Sequence, residues 1–182
     1  GSAVTDEEPR YVSPSSLGSY ASCPRQYEFE KVWDVSSPEE TRRYLDRGLA
    51  LHETIEAVCT FVRDVGPAGL SDDDIRTEAI EQFETIWEDQ TSRAEYYSDA
   101  HYRFDRAQSR SAIEHYFSDD APGIDHARNS IVNEVWVAFE HGDVALHGRV
   151  DNVVRTDDGF LVIDYKSSFS GIVSSYSADS VV

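Results

Sequence analysis

The apolar residues of this chain change period once, and that change limits what the chain can fold into more than any other feature. Up to about residue 120 they recur at helical spacing, and beyond Pro122-Gly123 they alternate. Leu51, Ile55, Val58 and Val62 fall on one face of an α-helix that must end before Gly66-Pro67. Ser71 followed by Asp72, Asp73 and Asp74 supplies a cap and first-turn acids for another helix, carrying Ile75, Ala79, Phe83 and Ile86. Ser13-Pro14 reads as an N-cap and first helical residue, opening a helix through Leu17, Tyr20 and Tyr27 to about Lys31. The Ser36-Ser37-Pro38 break follows it, and a further helix is expected from Asp99 to Phe117.

Past the change of period, Val135, Val137 and Phe139 share one face of a strand, and Val144, Leu146, Gly148 and Val150 mark a second beyond His141-Gly142-Asp143. Asp157-Asp158-Gly159 then turns into a third strand, Phe160 to Lys166. Helices first and an antiparallel meander after them predict a mixed α/β (α+β) domain, its helices packed on the sheet. Residues 1–10 are expected to be a flexible tail whose Gly1-Ser2 matches a tag-cleavage scar, and residues 169–182, rich in serine and without period, a truncated one. Residues 11–168 between them form one domain, mainly helical over 11–120 and β over 130–168.

The chemistry concentrates on the strands. Alternation puts Phe160, Val162, Asp164 and Lys166 on one face of the third strand and Leu161, Ile163 and Tyr165 on the other. Asp164 and Lys166 therefore point the same way at the end of an apolar strand, as a surface ion pair or as part of a site. Gly148-Arg149-Val150-Asp151 ends the preceding strand with another carboxylate; if the two strands pair, the carboxylates converge as hard oxygen ligands suited to Mg²⁺ or Mn²⁺. Taken alone, Asp151 also fits a turn or a sheet edge. On the second helix His52 and Glu56, at i and i+4, flank the apolar stripe. The string His52-Glu53-Thr54-Ile55-Glu56 lacks the second histidine of a zinc peptidase, and a lone histidine here also fits a structural role.

Charge at first argues against a polyanionic partner, since 35 acidic residues stand against 16 basic ones for a net charge of −19. Only Lys31 and Lys166 are lysines, however, and the other basic residues are arginines. An acidic, lysine-poor surface resembles that of proteins from salt-accumulating halophiles, where repulsion is screened within roughly 3 Å at 1 M salt. On this reading the charge reports habitat rather than partner. In such a chain a lysine retained at position 166 points to a task for a compact ammonium that arginine's fork does not fill. The absence of a long apolar run and of a charged-then-apolar leader leads to the expectation of a soluble, cytoplasmic protein with no membrane partner. Cys23 and Cys59 set no disulfide framework.

Taken in order, Ser13-Pro14-Ser15-Ser16-Leu17 with Tyr20, Cys23-Pro24-Arg25 and Tyr27, then Gly48-Leu49-Ala50-Leu51-His52 with Glu56, then Gly148-Arg149-Val150-Asp151, then Ile163-Asp164-Tyr165-Lys166-Ser167-Ser168 resemble the RecB-like branch of the PD-(D/E)XK nucleases, which includes CRISPR-adaptation exonucleases. The resemblance implies a restriction-endonuclease-like core with a mixed sheet flanked by helices and an N-terminal helical region. It implies a metal-dependent DNA nuclease, an exonuclease of repair, recombination or CRISPR adaptation. Asp151, Asp164, the main-chain carbonyl of Tyr165 and His52 would hold Mg²⁺ or Mn²⁺, and Lys166 would orient or activate the attacking water. Candidate supporting acids are Glu56 and Glu134. Candidate DNA contacts are Arg42, Arg43 and Arg47, for which a solvated helix end accounts equally well.

The implied partners are DNA ends or single strands, together with a helicase or an adaptation-complex protein. Two departures accompany the resemblance. Tyr176 lacks the glutamine of the Gln-x-x-x-Tyr helix that follows the D-x-K strand in many relatives, and the iron–sulfur cluster many of them carry would need a longer protein beyond Cys23. The other reading is a catalytically silent nuclease-like module that binds a DNA-processing partner.

Overall fold

The computed structural model describes residues 10–33, 40–91, 98–142, 144–168 and 171–177, without the side chains of 40–46, 167–168 and 171–177 and of a few scattered positions. Of the expected tails, 1–10 and 169–182, residues 1–9, 169–170 and 178–182 lie outside the described residues, as does the break at Ser36-Ser37-Pro38, whereas Arg10 and Gly171–Ser177 stand in strands. Two compact units emerge, one of residues 1–37 with 136–149, the other of residues 38–135 with 150–182.

In the first unit, strand β1 (Arg10–Val12) pairs in parallel with the start of β3 (Val144–Thr156), Arg10 against Val144 and Val12 against Leu146. The strand was not anticipated, and it makes the pairing mixed. Helix α1 (Pro14–Ser22) begins where expected, because the Ser13 hydroxyl accepts from the Ser16 amide at 3.2 Å with Pro14 behind it. It does not run on to Lys31. Pro24 cannot donate to the α1 ladder, so the chain breaks at Cys23 and restarts as α2 (Pro24–Tyr27) and a π-helical turn over Glu28–Val32.

The second unit carries the core. Helix α3 (Glu40–Val65) buries Leu51, Ile55, Val58 and Val62 as their spacing demands. Helix α4 (Asp72–Thr91) starts on a reciprocal cap, with the Ser71 amide donating to Asp74 at 2.8 Å and the Asp74 amide to the Ser71 hydroxyl at 3.1 Å. Its buried stripe is Ile75, Ala79, Phe83 and Trp87; Trp87, one position past the expected Ile86, is the residue sealed from solvent. Helix α5 (Asp99–Tyr116) is capped by Ser98 and adds Ile113 and Tyr116 to the core.

The short helix α6 (Gly123–Asn129) replaces the immediate change to strand that Pro122-Gly123 implied. Gly123 lies so close to the end of α5 that a Cβ there would sit 2.2 Å from the Tyr116 carbonyl oxygen. Strand β2 (Ser130–His141) pairs with β3, and β3 pairs antiparallel with β4 (Gly159–Ser168), Asn152 opposite Ile163. Strand β5 (Gly171–Ser177) pairs antiparallel with β4, so Tyr176 stands on a strand opposite Val162. Mixed strand pairing with helices fits the expected restriction-endonuclease-like α/β class.

Candidate metal and active site

Helix α3 and strands β2 and β3 bring three ligating side chains together. The donor atoms of His52, Glu134 and Asp151 all lie within 4.8 Å of one another. Helical pitch delivers His52, because it precedes the buried Ile55 by one turn and so sits at the edge of the core-facing stripe. Its Nδ1 lies 3.6 Å from Asp151 Oδ2, and its ring meets the Tyr165 ring edge-on at 5.9 Å.

Asp151 is held from a second side by the backbone. The Tyr165 amide on β4 donates to its Oδ2 at 2.6 Å. The β3–β4 register runs to Asn152 opposite Ile163, and Asp151 and Asp164 are the next residues along the two strands. Burial raises the Asp151 pKa above the ordinary carboxylate value; the Tyr165 amide and His52 oppose that, Asp164 adds to it, and Lys166 opposes it.

Glu134 reaches the group by an unusual backbone. Its φ is +54°, in the left-handed region that side chains other than glycine rarely adopt, at a cost of about 1–3 kcal/mol. One of its carboxylate oxygens is sealed from solvent.

Asp164 and Lys166 stand side by side on β4 as alternation requires, Lys166 Nζ lying 2.8 Å from Asp164 Oδ1 and 2.7 Å from Oδ2. Both are substantially exposed, while Ile163 and Tyr165 between and beside them are buried. Asp164 is not one of the three side chains that converge within 4.8 Å, although its charge acts on Asp151. Glu56 lies one turn beyond His52, partly buried and outside that group.

Beneath the acids runs a buried polar network that the sequence reading missed. Asn152, fully buried, donates to the Tyr165 hydroxyl at 3.0 Å and accepts from Ser130 Oγ at 2.8 Å. Arg63 donates to Ser130 Oγ at 3.2 Å, to Thr60 Oγ1 at 3.1 Å and to Asn133 Oδ1. The Tyr165 hydroxyl also lies 3.3 Å from that of Tyr116, which is 2.8 Å from His126 Nδ1. Burial raises the pKa of both tyrosines and pushes the Cys59 thiol up to about 11, so these groups stay neutral. A usable signal existed in the sequence: Asn152 is an amide at a core-facing strand position, which has to find partners there.

The arginines expected to grip DNA divide differently. Arg47 is 7% exposed, so its guanidinium is taken up inside the protein instead of facing a phosphate backbone. The side chains of Arg42 and Arg43 lie outside the described residues. Cys23 is a free, half-buried thiol at the α1–α2 break.

The donor set fits a hard divalent cation. The two carboxylates are the hard oxygen donors that Mg²⁺ or Mn²⁺ takes, and the imidazole is a donor that transition metals also accept, so the three side chains fit a divalent cation. Compared with known protein families, the chain matches the model of the PD-(D/E)XK nuclease superfamily over residues 11–175. No curated protein and no solved structure gives a significant match.

Proposed function

The chain belongs to the PD-(D/E)XK nuclease superfamily, and from that premise we propose that it is a Mg²⁺- or Mn²⁺-dependent deoxyribonuclease, acting as an exonuclease on DNA ends or single strands. The observation that carries this reading is the meeting of His52, Glu134 and Asp151 within 4.8 Å beside the strand bearing Asp164 and Lys166. His52, Glu134 and Asp151 would hold the ion. When bound, a divalent cation polarises the scissile phosphate and lowers the pKa of a water.

The remaining work belongs to Lys166, Asp164 and the main chain at Tyr165. Lys166 holds a positive charge at the mouth of the site, where negative charge grows on the phosphate as the P–O bond breaks. Asp164 keeps that ammonium in place through its 2.7–2.8 Å contacts. The Tyr165 amide fixes one Asp151 oxygen and leaves the other for a ligand. The RecB-like motifs favour a place in DNA repair, recombination or CRISPR adaptation, and the acidic surface favours a salty cytoplasm.

Labelled linear single- and double-stranded DNA and a covalently closed circle, each incubated with Mg²⁺, Mn²⁺ or EDTA, test the proposal. Linear substrates should shorten with either metal, none should change in EDTA, and the circle should stay closed. A cut circle would refute the exonuclease mode. No cleavage of any substrate by folded protein would leave the silent, partner-binding module.

A further inference from the structure

The left-handed backbone at Glu134 needs something to hold it, since strained conformations persist only where their surroundings over-determine them. The residues that flank it supply the hold. Asn133 immediately precedes Glu134, and Ser130 opens the same strand; both are gripped by a single nitrogen, Arg63 Nη1, with Ser130 Oγ at 3.2 Å. Arg63 lies on α3 roughly three turns beyond His52 and on nearly the same face. One rigid helix therefore carries both a metal-ligating imidazole and the grip on the strand that brings in Glu134.

The grip extends to the other acids. Ser130 Oγ donates to Asn152 at 2.8 Å, Asn152 donates to the Tyr165 hydroxyl at 3.0 Å, and the Tyr165 amide donates to Asp151 at 2.6 Å. Three network members adjoin site residues in sequence: Asn133 adjoins Glu134, Asn152 adjoins Asp151, and Tyr165 lies between Asp164 and Lys166. A slip of one residue on any of the three strands would break a buried hydrogen bond and turn an acid away from the site.

We infer that Arg63 is a positioning residue, which acts through Asn133 and Ser130 to hold the Glu134 carboxylate against His52 and Asp151. The inference rests on the metal reading of the trio above. It predicts that Arg63→Met lowers Mn²⁺ affinity about 10- to 100-fold, the usual scale for losing a residue that orients a ligand. Because Arg63 ties α3 to Ser130 and Asn133 and its loss could make that variant fold poorly, Asn133→Ala serves as the second probe, removing the acceptor next to Glu134 and leaving the guanidinium in place.

The decisive measurement is Mn²⁺ titration by calorimetry in a double-mutant cycle with Glu134→Ala, each variant first checked for native circular dichroism. If Arg63 acts through Glu134, the effect of Arg63→Met or Asn133→Ala disappears once Glu134 is alanine. A generally loosened structure would weaken binding equally in both backgrounds and overturn the inference, as would unchanged affinity in either folded variant. Failure of the unmodified protein to bind Mn²⁺ would sink the metal reading and this inference with it, an outcome distinct from both.

Discussion

His126 is half-buried on α6, its Nδ1 2.8 Å from the Tyr116 hydroxyl, and burial holds its pKa below the ordinary histidine value despite the neighbouring Asp125. A histidine depressed in the folded state favours folding when neutral. Its contribution is present above the unfolded value of roughly 6.5 and is lost as pH falls below that toward the lower folded value. The denaturant midpoint should therefore fall more steeply between pH 7 and pH 5 in the unmodified protein than in His126→Asn. Parallel profiles would contradict this. Other single residues were legible in the sequence to different degrees. Alternation alone put Asp164 and Lys166 on one face, and helical pitch put His52 beside the core. Glu134 was named only as a supporting acid, because its place in the trio depends on a φ of +54° that no strand pattern implies.

At the scale of elements, the signals that worked were those with a local physical cause. The stripe of Leu51, Ile55, Val58 and Val62 and the caps at Ser13 and Ser71 act within one or two turns, and the helices capped by those serines start where they stand. Elements that depend on distant partners were not legible. Strand β1 exists through its pairing with β3, and the serine-rich β5 through its pairing with β4, so neither shows a burial pattern of its own. Helix α6 was hidden because Pro122-Gly123 reads as a turn. The close approach of Gly123 to the Tyr116 carbonyl, where a Cβ would meet oxygen at 2.2 Å, gives that glycine a steric reason that only the packed structure reveals. The candidate site combines both cases: its strand acids follow from local alternation, and the network that aligns them is long-range.

At the scale of the whole molecule the net charge of −19 is opposed by few cations, and many described arginines are occupied within the protein. Arg128 binds the Pro67 and Leu70 carbonyls and Asp72, Arg76 binds the Phe117 carbonyl and Asp73 and Asp119, and Arg106 and Arg110 share Glu84. Guanidinium forks suit such multiple acceptors better than ammonium groups. The remaining carboxylates repel one another, and raising salt from 0.1 M to 1 M shortens the screening length from about 10 Å to about 3 Å. Tm should rise across that range of NaCl; a flat or falling Tm would count against the high-salt reading.

Three side chains are proposed to hold a cation and one lysine to serve the chemistry, and paired measurements of Mn²⁺ affinity and DNA cleavage on Asp151→Ala and Lys166→Ala separate the two roles. Asp151→Ala should lose both binding and cleavage. Lys166→Ala should bind Mn²⁺ at least as well as the unmodified protein while cleaving about 10²- to 10³-fold more slowly, the usual scale for losing one transition-state contact. Cleavage undiminished in Lys166→Ala, or unaffected in Asp151→Ala, would contradict the account.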